Sequence, residues 1–281
     1  MMDRLGSKTK VRVTVVDGDT RSQRQDQVVT EEPMELRLVA GAEKQSLAIT
    51  MRTPGRDFEM AAGFLYGEGV INTRNEIDTI SYCTDPDVDP EQLYNIVNVN
   101  LRRRVLPPIK TLERHFYTHS ACGVCGKANL EALQQRGVQA IDSTLSVSAE
   151  ALASLPDKLR QAQDLFGSTG GLHAAGLFSP DGDLIAARED VGRHNAVDKL
   201  VGWALLEGRL PLRDHILLVS GRASFELVQK AVQAGIPVMG AVSAPSSLAV
   251  DTARTFGVTL IGFLRGKRFN VYSRADRLIG D

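Results

Sequence analysis

The sequence predicts an α/β protein in two parts, a smaller N-terminal α+β domain over residues 1–108 and a larger α/β domain over residues 137–281. Three observations carry this. Short apolar/polar alternations run through the first hundred positions, Pro107-Pro108 interrupts them within the basic stretch Arg102 to Arg114, and beyond Leu130 strand-like and helix-like segments alternate. Residues 109–136 form the join, a loop and short helix expected to be mobile.

In chain order, Val11, Val13 and Val15 against Arg12 and Thr14 predict a half-buried strand, as do Met34, Leu36 and Leu38 against Glu35 and Arg37. A third strand is expected at Leu47 to Met51. Pro54-Gly55 then makes a turn, and Asp57 is expected to cap a helix presenting Phe58, Ala61, Ala62, Leu65 and Tyr66. Strands near Ile80 to Cys83 and at Val97, Val99 and Leu101 complete this part. The second part opens with one helix from Ser148 to Leu165 carrying Leu152, Leu155 and Leu159. Leu172 to Phe178 and Leu184 to Arg188 read as a hairpin around Pro180-Asp181-Gly182, because proline fixes φ and glycine accepts a positive φ. Helix 193–206, strand 216–220, helix 225–234, strand 238–242, helix 247–256 and strand 258–264 follow, with the strands expected parallel and covered on both faces.

Hydrophobic residues make up 43% and charged residues 24%, which places the chain among globular proteins. Lys plus Arg number 33 against 34 Asp plus Glu, a net charge of -1, so no whole-molecule field draws in nucleic acid or an anionic membrane. No apolar run is long enough to span a membrane, and no leader pattern opens the chain. Three cysteines are too few for a disulfide framework and fit a reducing compartment, so the cytoplasm is expected.

The strongest chemical feature is Cys122-Gly123-Val124-Cys125, framed by Gly126 and Lys127. The glycines leave the sulfurs open to a reactant, and Arg114, His115, His119, Lys127 and a following helix start favour a thiolate. The spacing alone admits sulfur carriage, a dithiol redox centre, half of a zinc site or an inert loop. Zinc would need ligands beyond this pair and Cys83, and Cys83 lies in an apolar strand where a core position is expected. No metal site is therefore assigned.

Three helix starts follow strand ends: Glu189 through Asn195 with Gly192, Arg193 and His194, then Ser220-Gly221-Arg222-Ala223-Ser224, then Ala244 to Ser247. Backbone N–H groups at such starts, joined by guanidinium forks, suit a phosphorylated ligand, although Asp, Ser and Gly there also serve as plain caps. Ser168-Thr169-Gly170-Gly171 reads as a turn before His173, which is either a core histidine or a ligand contact. Phe263-Leu264-Arg265-Gly266-Lys267-Arg268 puts three cations around one glycine after the last predicted strand.

The Cys122/Cys125 loop, Glu189 to His194 with Asp198-Lys199-Leu200, and Ser220 to Glu226 together resemble the FdhD family, and Thr50 to Ile71, Ala241 to Ala244 and Val271 to Gly280 extend the resemblance. It implies a sulfur carrier required for formate dehydrogenase activity, which takes sulfur from a cysteine desulfurase and passes it to the molybdenum cofactor, Mo-bis(molybdopterin guanine dinucleotide), before insertion into the formate dehydrogenase apoenzyme. It assigns Cys122 as the persulfide and Cys125 as its assistant, and it puts cofactor binding at Phe263 to Arg268, with GDP as a mimic and a homodimer as the assembly. It also implies a larger domain similar to the cytidine deaminase fold, with no cysteine at the helix starts that would hold the deaminase zinc. The alternative is a non-catalytic chaperone for the cofactor.

Overall fold

The computed structural model describes residues 6–107, 133 and 137–279. A hairpin of β1 (Lys8–Asp17) and β2 (Thr20–Val29) comes first, closed by a two-residue turn in which Gly18 has φ 56°. β3 (Glu32–Ala40), β4 (Glu43–Arg52), β5 (Ile77–Tyr82) and β6 (Ile96–Leu101) make a four-stranded sheet in the order β4-β3-β6-β5, with β3 and β6 parallel. The alternation in β3 sends Met34, Leu36 and Leu38 to one face, where α1 (Asp57–Gly67) covers them with Met60, Ala61 and Leu65. Asp57 does not cap that helix. It is the first helical residue, bonded to Arg52, Gly55 N and Tyr82 Oη.

The larger sheet has the order β13-β12-β11-β10-β8-β9, from β8 (His173–Phe178), β9 (Leu184–Asp190), β10 (Ile216–Val219), β11 (Val238–Ala241), β12 (Thr259–Arg265) and β13 (Arg268–Ser273). β10, β11 and β12 are parallel, as expected; β8, β9 and β13 join antiparallel. All four residues of β10 are buried because both faces are covered. Leu217 and Val219 face α4 (Arg193–Leu206), α5 (Phe225–Gln233) and α6 (Ser247–Phe256), while Ile216 and Leu218 face α2 (Ala149–Gln161). The single predicted helix at 148–165 is two: α2 ends at Gln161, and α3 (Asp164–Thr169) restarts after Gln163, whose ψ of 77° is not helical. β7 (Val147–Ser148) pairs with β14 (Leu278–Ile279).

The two sheets meet through helices. α1 lies between the small sheet and α4, and Gly63 and Gly202 let the two backbones touch: a Cβ on Gly202 would sit 1.7 Å from the Glu59 carbonyl oxygen. No other residue type fits that crossing.

Candidate functional site at one end of the large sheet

Topology gathers the predicted binding residues. The parallel strands β10, β11 and β12 end at one edge; β8, antiparallel to β10, begins there with His173, and β9 ends there with Asp190. Ligand sites in α/β sheets occupy this kind of edge. Gly192-Arg193-His194 opens α4, Ser220-Gly221-Arg222 follows β10, and Phe263 and Arg265 close β12. Backbone bonds bracket these loops together: Ser243 N donates to Gly221 O at 3.3 Å, and Phe263 N donates to Ser243 O at 3.1 Å. Ser220 Oγ accepts from Ala174 N at 2.9 Å.

Arg193, Arg222, Arg265, Lys267 and Arg268 are all exposed, and none is ion-paired with a described carboxylate. Free cations at one sheet edge form a local anion site on a nearly neutral protein. Leu264 differs from its neighbours: its side chain is sealed in the core under α2, so it offers only backbone to the edge. Phe263 is held at φ 54°, beside a bulge between Gly262 and Arg265, and its ring stays 42% exposed. A non-glycine residue in the left-handed region is strained, and here that conformation turns the ring outward at the site.

Beneath the start of α4 lies a buried polar knot. Lys199 Nζ is 2.6 Å from Asp190 Oδ2 and donates to Thr53 O at 2.9 Å. The Asp190 carboxylate also accepts from Thr53 N, Gly192 N and Asn195 Nδ2. Asn195 Nδ2 reaches Met51 O at 2.8 Å, so residues 51–53 of the small sheet fasten the loop that presents Arg193 and His194.

Ser224 precedes α5 but makes no capping bond; its hydroxyl lies 3.3 Å from His194 Nε2, and Glu226 Oε2 lies 3.7 Å from the same nitrogen. The His194 hydrogen bond, against the opposing effect of burial and with help from Ser224, holds the Glu226 carboxyl at about 2. Burial pushes the His173 imidazole below its ordinary range, and the nearby Arg193 and His194 side chains push the same way. The edge thus combines cations for phosphate, a carboxylate held as an anion and an imidazole whose protonation is disfavoured.

Residues 29–279 match the FdhD/NarQ family over most of the chain. The chain belongs to the FdhD/NarQ family. It is similar to proteins named sulfur carrier protein FdhD: one from Streptomyces avermitilis is 55% identical over 279 residues, covering 99% of this chain and 97% of the relative. Another, from Sulfurisphaera tokodaii, is 44% identical over 270 residues and covers 96% and 98%. The crystal structure of a candidate formate dehydrogenase accessory protein from Desulfotalea psychrophila superposes with a TM-score of 0.74 at 26% identity, covering 97% of this chain and 99% of that one.

In this FdhD/NarQ family member, Cys122 and Cys125 lie outside the described residues, as does the predicted 109–136 segment except Leu133. Cys83 is buried, within 3.8 Å of Arg37 Nη1. Sequence reasoning quoted Glu189 only as part of a helix start; the structure uses its carboxylate to cap α3, accepting from Leu165 N and Phe166 N. It also gave Asp190, Lys199 and Glu226 no roles. Their partners lie on other elements, so only three-dimensional proximity reveals them. No described helix is long and apolar enough to cross a membrane.

Proposed function

We propose that this protein is a sulfur carrier in formate dehydrogenase maturation, working in the cytoplasm as a homodimer. The observation that carries the reading is near full-length similarity to relatives named sulfur carriers in a chain that itself holds Cys122-Gly-Val-Cys125 between glycines. The Cys122 thiolate attacks the outer sulfur of a cysteine desulfurase persulfide; the S–S bond breaks, the desulfurase cysteine leaves as thiolate, and Cys122 keeps the persulfide. Attack by Cys125 on the inner sulfur then releases the outer one as hydrosulfide toward molybdenum and leaves a disulfide, which an external dithiol reduces. The acceptor is Mo-bis(molybdopterin guanine dinucleotide), bound as substrate before its insertion into apo formate dehydrogenase. The exposed cations Arg193, Arg222, Arg265, Lys267 and Arg268 hold its phosphates, and we read the six-stranded sheet as the family's cytidine-deaminase-like unit.

Mass spectrometry after incubation with a cysteine desulfurase and cysteine tests the reading. An added sulfur on the Cys122 peptide, lost in Cys122→Ala, is expected. Absence of added sulfur where a known acceptor is loaded refutes it and favours the cofactor chaperone.

A further inference from the structure

The residues that match the FdhD/NarQ family begin at 29, so all of β1 and all of β2 except Val29 precede the match, and it gives this hairpin no task. Its two faces differ. In the antiparallel register Lys8, Lys10 and Arg12 lie opposite Val29, Gln27 and Gln25, and on the same face Arg21 lies opposite Val16. All four cations are exposed, none is ion-paired with a described carboxylate, and no Asp or Glu stands on that face. Asp26, the one acid of β2, points to the other face, 3.7 Å from Arg24. β1 pairs with β2 alone among the described residues, so the main-chain N–H and C=O groups along its outer edge have no strand partner there. The hairpin springs from the site end of the large sheet. Thr30 N donates to Ser7 O at 3.0 Å, Ser7 Oγ donates to Pro54 O at 2.7 Å, and β2 packs against α3 close to the glycine turn that leads into His173.

We infer that the outer edge of β1 takes up an extended acidic segment of a partner protein as a third strand, its alternate carboxylates beside Lys8, Lys10 and Arg12. Same-face residues of a strand repeat about every 7 Å, so a carboxylate at every second position of the incoming segment meets a cation each time. Main-chain bonds to an open edge supply attachment in such an addition, and opposite charges side by side on neighbouring strands supply selectivity. A second copy paired through β1 would set these cations beside cations or beside Val11, Val13 and Val15, with no counter-charge in either case. Nucleic acid and anionic lipid are poorer matches: the hairpin carries no aromatic ring on which a base could stack, and Asp17 and Asp19 at its tip repel phosphate. A partner held on this arm stands beside the cation edge.

Fluorescence anisotropy of a labelled peptide of alternating glutamate and threonine, titrated with the full chain, tests the inference. Binding that weakens as salt rises is expected. The double variant Lys10→Glu with Arg12→Glu should bind about tenfold more weakly and should instead take up a peptide in which lysine replaces glutamate. A hairpin merely unfolded by the substitutions would not show that swap. Arg24→Gln, on the other face, should bind the acidic peptide as the wild type does. Of two peptides methylated on the main-chain nitrogens of either the glutamates or the threonines, at least one should lose binding, since one set of N–H groups faces β1. If both bind as the parent does, strand addition is overturned. A wild type that does not bind the acidic peptide, or that prefers single-stranded DNA or phosphatidylserine vesicles to it, overturns the inference as a whole. The sulfur carrier reading stands or falls separately, on the Cys122 peptide.

Discussion

Replacing Lys199 with methionine removes the ammonium 2.6 Å from Asp190 while keeping an unbranched apolar stem in its place. The two side chains are 2% and 0% exposed, so water cannot take over the lost interaction. Asp190 keeps three donors, Thr53 N, Gly192 N and Asn195 Nδ2, but it loses its counter-charge, and the carbonyls of Thr53 and Glu189 lose their shared donor. Breaking a buried pair from one side costs about 3–5 kcal/mol. Set against a total stability of about 5–15 kcal/mol, the variant should fold but melt about 10 °C lower. Guanidinium unfolding of Lys199→Met, Asp190→Asn and the double variant at pH 7 measures this. The double variant should recover more than about 1 kcal/mol relative to additivity, because no unpaired charge is left. A loss below about 1 kcal/mol in Lys199→Met, or strict additivity in the double variant, would refute the assignment of this knot as the fastening of the α4 start.

Further expectations follow from the same geometry. Gly202→Ala places a methyl 1.7 Å from Glu59 O and should cost more than about 3 kcal/mol or abolish soluble protein, whereas Gly167→Ala, which meets open space, should be neutral or slightly stabilising in the same melt. Glu226 has its folded pKa depressed to about 2, so its contribution is present above the ordinary 4.5 and fades as pH falls from there toward 2. With 39% of the side chain exposed, solvent screening keeps that contribution below about 1 kcal/mol. Urea midpoints of Glu226→Gln and wild type should therefore differ at pH 6 and converge near pH 2; a constant gap would sink the idea. Arg222→Ala and Arg265→Ala should each weaken GDP binding about tenfold and flatten its salt dependence, read by titration at two ionic strengths.

Much of the large sheet was legible because buried strands and amphipathic helices carry strong patterns; Ile216-Leu217-Leu218-Val219 can hardly be anything but a covered strand. β2 was not. Its TRSQRQDQVV sequence has no apolar alternation, since eight of its ten residues are exposed, and what the structure shows is a full backbone ladder with β1. β13 escaped for a related reason, as a half-exposed edge strand. The break between α2 and α3 depends on Glu189, distant in sequence, and no local signal announces it. At the site, glycine, arginine and histidine at helix starts were readable residue by residue. That Asp190, Lys199 and Asn195 would close into one buried knot with Thr53 and Met51 was not, because such pairing is a property of the packed structure.

The contact between Gly63 and Gly202 has a consequence for how the molecule is inherited and dissected. Two helices joined backbone to backbone cannot slide past a side chain or repack; they tilt as one beam or separate altogether. A chain cut after Pro107 would uncover a glycine-lined furrow along α4 and leave Lys199 and Asn195 facing solvent where Thr53 and Met51 had been. The small sheet is in that sense the other half of the wall behind the site, and the two parts of the gene product have to vary together.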